Sequence, residues 1–121
     1  MKILIADPVA EQGLQPLHSY AQVDIKTNLE PGQLKAIIGD YDALIVRSQT
    51  QVSSEIIEAG EKLKVIGRAG VGTDNIDVDA ATRKGIVVVN APTGNTVSAA
   101  EHTIALMLAL ARNVPQADSQ L

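Results

Sequence analysis

A chain of 121 residues, 45% apolar and 20% charged, is enough for one globular domain with a real core, and one soluble domain is the default expectation. A net charge of −4 gives no basic field to draw a polyanion, and two tyrosines as the only aromatics give bases nothing to stack on, which argues against nucleic acid as a partner. The absence of cysteine excludes disulfides and thiolate chemistry and suits a reducing compartment, so the cytoplasm is expected.

The N-terminal run MKILIADP is broken by Asp7 and Pro8 after four apolar residues, too soon for the apolar stretch of an export signal. Short, mostly β-branched apolar runs then recur at Ile3–Ala6, Val23–Ile25, Ala43–Val46, Val65–Ile66 and Ile86–Val89, as strands buried on both faces should. Helix-start signals lie between them: Asp7-Pro8 as a cap with proline following, Glu30-Pro31 likewise, Ser53-Ser54 before EIIEA, and Asp77 before VDAATRK, which Gly85 closes. Five strands alternating with five helices predict an α/β fold, a parallel five-stranded sheet with helices on both faces. A flavodoxin-like strand order, 2-1-3-4-5, suits this length better than a six-stranded dinucleotide domain.

The last predicted helix, Val97–Arg112, opens on what reads as a capping box, Ser98-Ala99-Ala100-Glu101. Its run IALMLALA is too short for a bilayer, which needs roughly 18 residues or more, so it is expected to be a buried helix and no membrane is expected as a partner. Apolar on nearly every side, it calls for cover from a partner subunit or a second domain.

Ligands of open parallel sheets bind beyond the C-terminal strand ends. Asp7 follows the first strand, Arg47 and Ser48 the third, Arg68 with GRAGVGTD the fourth, and Asn90, Thr93, Gly94 and Asn95 the fifth. The glycine pattern fails as a dinucleotide fingerprint, since Asn75 stands where G-x-G-x-x-G needs its third glycine. It also fails as a phosphate loop, since Thr73-Asp74 stands where lysine and a hydroxyl belong. Two arginine forks beside glycines that let backbone amides come close instead predict a pocket for a small anion. Plainer readings stand beside it: rim ion pairs for Arg47 and Arg68, a tight turn for Gly67, Gly70 and Gly72, and a helix cap for Asp7. Asp74, Asp77 and Asp79 suit a helix N-terminus better than a cation, and no metal site is expected. His18 reads as a surface residue, and His102 beside Glu101 points about 100° away from it, a poor catalytic pair.

The block VIGRAGVGTDNIDVDAATRKGIVVVNAPTGNTVSAAEHTIALMLALAR, Val65–Arg112, with LIVRS at Leu44–Ser48, closely resembles the D-isomer-specific 2-hydroxyacid dehydrogenases, and among them the branch that oxidises 3-phosphoglycerate. The resemblance is tight after Tyr41 and loose before it. It implies NAD-dependent oxidation of 3-phosphoglycerate to 3-phosphohydroxypyruvate, the entry to serine biosynthesis, by a homo-oligomer of which this chain is a part. Residues 1–96 would be the flavodoxin-like substrate-binding domain, and 97–121 the interdomain helix and the start of an NAD-binding domain. The family's dinucleotide fingerprint, catalytic histidine with its glutamate, and carbonyl-polarising arginine belong to that other domain, so no catalytic residue is expected here and the chain alone should be inactive. By the resemblance Arg47, Ser48 and Arg68 contact the substrate, Gly70, Val71 and Gly72 grip its carboxylate, and Asn95 faces it. Val71 and Thr96 would face the cofactor. The helix at 97–112 would lie between the two domains, or pair with a second copy if exposed. Alternatives are another acid substrate within the family, an excised scaffold, or a stand-alone binding module; a phospho-receiver is disfavoured by Arg47 and Asn90 where it needs aspartate and lysine.

Overall fold

Each of the five apolar runs becomes a strand in the structure, a computed structural model that describes residues 1–120. The strands are β1 (Lys2–Ile5), β2 (Gln22–Ile25), β3 (Ala43–Val46), β4 (Val65–Arg68) and β5 (Val87–Asn90). They form one parallel sheet in the order β2-β1-β3-β4-β5. The predicted order is therefore the observed one, and strand edges differ from expectation by a residue or two, as hydrogen-bond boundaries do. Register sets Val46 beside Arg68 and Arg68 beside Asn90, so three strands end at one level and deliver their loops to a common edge.

The crossovers are α1 (Glu11–His18), α2 (Pro31–Ile37) continued by a 3₁₀ turn, α3 (Ser54–Ala59) and α4 (Val78–Lys84). Below α2, α3 and α4 lies the larger core, which includes Leu4, Leu34, Tyr41, Leu44, Ile56, Ile57 and Ile66; α1 covers a smaller one of Ile3, Ile5, Leu14 and Ala43 on the other face. Glu30 and Gln33 close a capping box at α2, and Asp77 accepts from the Ala80 N–H (2.9 Å) at α4. Gly85 ends α4 at φ 76°, where a side chain would be strained. Lys84 reaches across to the end of α3, donating to the carbonyls of Ile57 (2.7 Å), Glu58 (2.7 Å) and Gly60 (3.2 Å), which leaves few helix-end acceptors unpaired.

Three local expectations are corrected. Asp7 does not cap α1: that helix starts at Glu11 behind Ala10, because the Asp7 carboxylate is buried and engaged by the β3 loop. Ser98 does not cap the last helix either. The turn at Ala91–Gly94 winds the chain sooner, so α5 runs Thr96–Ala111 behind Asn95 and places Ser98 inside its first turn. Finally, α5 is not buried: within this chain it packs mainly on α6 (Val114–Gln120), and Ile104 and Leu110 are 57% and 70% exposed. Neither core draws on it, so its cover is not supplied among the described residues. No helix among the described residues is long and apolar enough to cross a membrane.

Candidate functional site

The β3, β4 and β5 loops meet at the C-terminal edge of the sheet around a cleft of about 380 Å³. Arg47, Arg68, Ala69, Gly70, Val71 and Asn95 line it, so five of the expected site residues are brought together. Ser48 lies just outside, in a cleft of about 160 Å³ that it shares with Arg47, Asp7 and Pro8. Gly72 and Thr96 line neither.

Neither arginine is in an ion pair with any described residue, so the rim-pair reading falls. The Arg47 side chain is exposed and, among the described residues, makes only a 3.5 Å contact from Nη1 to the Pro8 carbonyl. Arg68 is half-buried, and its Nε is inaccessible to water yet has no acceptor among the described residues. A buried N–H of a cation left without a partner is costly, and an acceptor reaches it only if the side chain shifts.

Gly70 explains how the Arg68 head fits. Its φ is 155°, and a Cβ built on it would run into Arg68 Nη1 and stand 2.8 Å from Cζ. The missing side chain is the space the guanidinium occupies. The amide of Gly70 is already spent on the Arg68 carbonyl (2.8 Å), and its own carbonyl accepts from Ala91 N–H (2.9 Å). Gly70 is therefore not the carboxylate-gripping donor that was expected. The amides of Val71 and Gly72 have no acceptor among the described residues and keep that capacity. Asn90 Nδ2 donates to the Val71 carbonyl (2.6 Å) and holds the loop onto β5.

Sequence reasoning missed the residues that shape the β3 loop. Asp7 Oδ2 accepts the N–H groups of Arg47 (2.6 Å) and Thr50 (3.2 Å), while its Oδ1 accepts the Thr50 hydroxyl (2.6 Å). From the other side Asn75 Nδ2 donates to the carbonyls of Arg47 (2.6 Å) and Thr50 (2.8 Å). The only available signal was negative: Asn75 occupied a glycine's place in a failed motif, and polar Asp7 ended an apolar strand.

The remaining titratable groups add no catalytic pair. His102 and His18 are exposed, and His102 makes no hydrogen bond with Glu101. Asp77 is occupied at its helix cap, and no cluster of three metal-ligating side chains occurs among the described residues. The carboxyls held below their usual range lie elsewhere: Asp24, chiefly by the Tyr41 hydroxyl, and Asp42, chiefly by the Lys2 backbone N–H.

The family described as "D-isomer specific 2-hydroxyacid dehydrogenase, catalytic domain" matches residues 3–117. The chain belongs to the D-isomer specific 2-hydroxyacid dehydrogenases. Curated relatives in this family include the D-3-phosphoglycerate dehydrogenases of Synechocystis sp. (53% identical over 99% of this chain and 22% of that one) and of Methanocaldococcus jannaschii (54% identical over 100% and 23%). This dehydrogenase-family chain thus spans about a fifth of the length of such relatives. Among solved structures it is similar to the NAD⁺-bound 3-phosphoglycerate dehydrogenase of Entamoeba histolytica, with a TM-score of 0.78 and 36% identity over 90% of this chain and 38% of that one. It is also similar to the PH0520 protein of Pyrococcus horikoshii, with a TM-score of 0.83 and 34% identity over 98% and 35%.

Proposed function

We propose that this chain is the substrate-binding part of an NAD-dependent D-3-phosphoglycerate dehydrogenase, oxidising 3-phosphoglycerate to 3-phosphohydroxypyruvate in the cytoplasm. Residues 1–96 are the substrate domain, and 97–121 are the connecting helix and the approach to a cofactor domain. The carrying observation is that Arg47 and Arg68, neither in an ion pair with a described residue, line one cleft, followed by the unspent amides of Val71 and Gly72. Two guanidinium forks suit a doubly charged phosphate and a carboxylate on one small molecule. Identity above 50% with named phosphoglycerate dehydrogenases, against 25% with the D-lactate dehydrogenase of Escherichia coli, favours that acid within the family.

In this reading Arg47 and Ser48 take the phosphate end, Arg68 with the Val71 and Gly72 amides takes the carboxylate, and Asn95 orients the carbon chain. Val71 and Thr96 face the nicotinamide. The rest of NAD does not fit the residues present. Past β1 the turn holds buried Asp7 and Pro8, and past β4 Asn75 is committed to two carbonyls, so neither strand offers a glycine cradle for a pyrophosphate. No hydride step is therefore assigned to these residues; they bind and orient the acid. The whole protein is a homo-oligomer, and in this chain the exposed α5 is the surface through which copies associate.

Titrating 3-phosphoglycerate into the 121-residue chain tests the reading, with D-lactate as the competing acid. Saturable perturbation of the Arg68–Gly72 amides is expected, weakened roughly tenfold or more in Arg47→Ala and in Arg68→Ala, since a charge-assisted hydrogen bond is worth about 1.5–3 kcal/mol. Equal affinity in wild type and both variants, or preference for lactate, would refute it.

A further inference from the structure

We infer that Asp7, Thr50 and Asn75 form a two-sided clamp that positions Arg47 for anion binding, an inference that rests on the proposed anion site. The turn Arg47–Thr50 is held at both ends and from both sides. The Asp7 carboxylate takes the N–H groups of residues 47 and 50 together with the Thr50 hydroxyl, and the Asn75 amide supplies protons to the carbonyls of the same two residues. One acceptor-only group and one donor amide thus fill complementary roles across a single turn.

Both clamping side chains are built into the fold. Asp7 is 1% and Asn75 6% exposed. Asp7 has no counter-ion among the described residues, so its charge is compensated by these donors alone. Asn75 is fixed in turn by its own backbone, whose carbonyl accepts from Val52 N–H (2.8 Å), and by the parallel bridge of Val52 with Ile76. The clamp therefore ties the β1, β3 and β4 loops into one piece, the same piece that carries both arginines. A long, exposed side chain such as Arg47 gains pointing accuracy only if its backbone is fixed, and no other contact of comparable quality fixes it.

A purely structural clamp would lower stability when cut and leave the affinity of the remaining folded protein unchanged. A positioning clamp would release the loop and the ligand together. Thr50→Val removes the hydroxyl donated to Asp7 with little change in volume, and Thr50→Ser restores it. Two readouts are taken on the 121-residue chain: hydrogen exchange at the Arg47 and Thr50 amides without ligand, and the Kd for 3-phosphoglycerate. Expected results are exchange at least tenfold faster in Thr50→Val, a Kd raised about fivefold to tenfold, and recovery of both to within about twofold in Thr50→Ser. Asp7→Asn, which keeps one acceptor oxygen, should fall between them.

The two proposals fail differently. If wild type binds no 3-phosphoglycerate but the exchange pattern is as expected, the anion site is wrong and the clamp survives only as a structural device, which overturns its positioning role. If wild type binds, exchange accelerates in Thr50→Val and affinity does not move, the anion site stands and positioning is refuted. Unprotected Arg47 and Thr50 amides in wild type would refute the clamp itself.

Discussion

Gly70→Ala is the sharpest test of the site, because its effect reaches the ligand through another residue. At φ 155° an alanine is strained, at a cost of about 1–3 kcal/mol for a sparsely populated backbone conformation. The new Cβ would also meet Arg68 Nη1 and sit 2.8 Å from Cζ, where van der Waals contact needs well over 3 Å. Backbone at Gly70 cannot yield freely, since its N–H is bonded to the Arg68 carbonyl and its carbonyl to Ala91. The guanidinium must therefore swing away and lose the position from which it is proposed to hold the anion. Losing one charge-assisted hydrogen bond of about 1.5–3 kcal/mol weakens binding roughly tenfold to a hundredfold. The assay is a double-mutant cycle, measured as Kd for 3-phosphoglycerate in wild type, Gly70→Ala, Arg68→Ala and the double variant. If alanine acts by displacing Arg68, the double variant should bind about as poorly as Arg68→Ala, a coupling energy as large as the Gly70→Ala effect itself. Additive losses would show that Gly70 acts independently of Arg68, and unchanged affinity in Gly70→Ala would show that the position of the guanidinium does not matter.

Two further outcomes follow from other parts of the molecule. Asp24 and Asp42 have folded-state pKa values lowered from 3.8, so they favour folding while ionised; that contribution is present above the unfolded value and is lost as pH falls through the folded ones, and Asp24→Asn should flatten the denaturation midpoint against pH below about pH 4 while leaving anion binding intact. For the exposed α5, the wild-type chain should sediment as an oligomer at high concentration and Leu106→Lys with Leu110→Lys as a monomer; a monomeric wild type at the same concentration contradicts association through this helix.

Legibility from sequence tracked the range of the interactions involved. The five strands and their order came from local patterns: short, mostly β-branched apolar runs, and helix signals such as Glu30-Pro31, Asp77 and Gly85 that act within one turn of where they stand. The arginines could be placed at the binding edge because parallel strands send all their C-terminal ends one way. Asp7 was misread because the same residue type in the same place satisfies either its own following helix or a loop 40 residues away, and only the fold decides that the loop wins. Asn75 could not be read at all, since its partners are two carbonyls in another loop, and carbonyls leave no trace in a sequence. Gly70 was recognised as special for an amide offered to a ligand, whereas the structure gives it a second reason, room for a neighbour's guanidinium.

The exposure of α5 has a different origin. An apolar helix was expected to be buried under a partner subunit or a second domain, and within this chain nothing among the described residues supplies that cover. Among the described residues two apolar surfaces are left uncovered: α5 itself, and the part of the sheet beyond α1 where Val87 and Val89 are 59% and 49% exposed beside Gly67. The small core under α1 draws on β1, β2 and β3 with Val65 of β4, and it stops short of β5. Each apolar side chain of this size recovers on the order of 1–3 kcal/mol when fully buried, so two such faces in one chain favour association by more than either would alone. Arg47, Arg68 and the clamp are fixed by residues before Asn95, and Leu106 and Leu110 lie well beyond the Asn95 and Thr96 that open α5 beside the cleft. That separation is why anion binding should survive in the lysine-substituted monomer, and why its loss there would mean that α5 contributes to the site as well as to assembly.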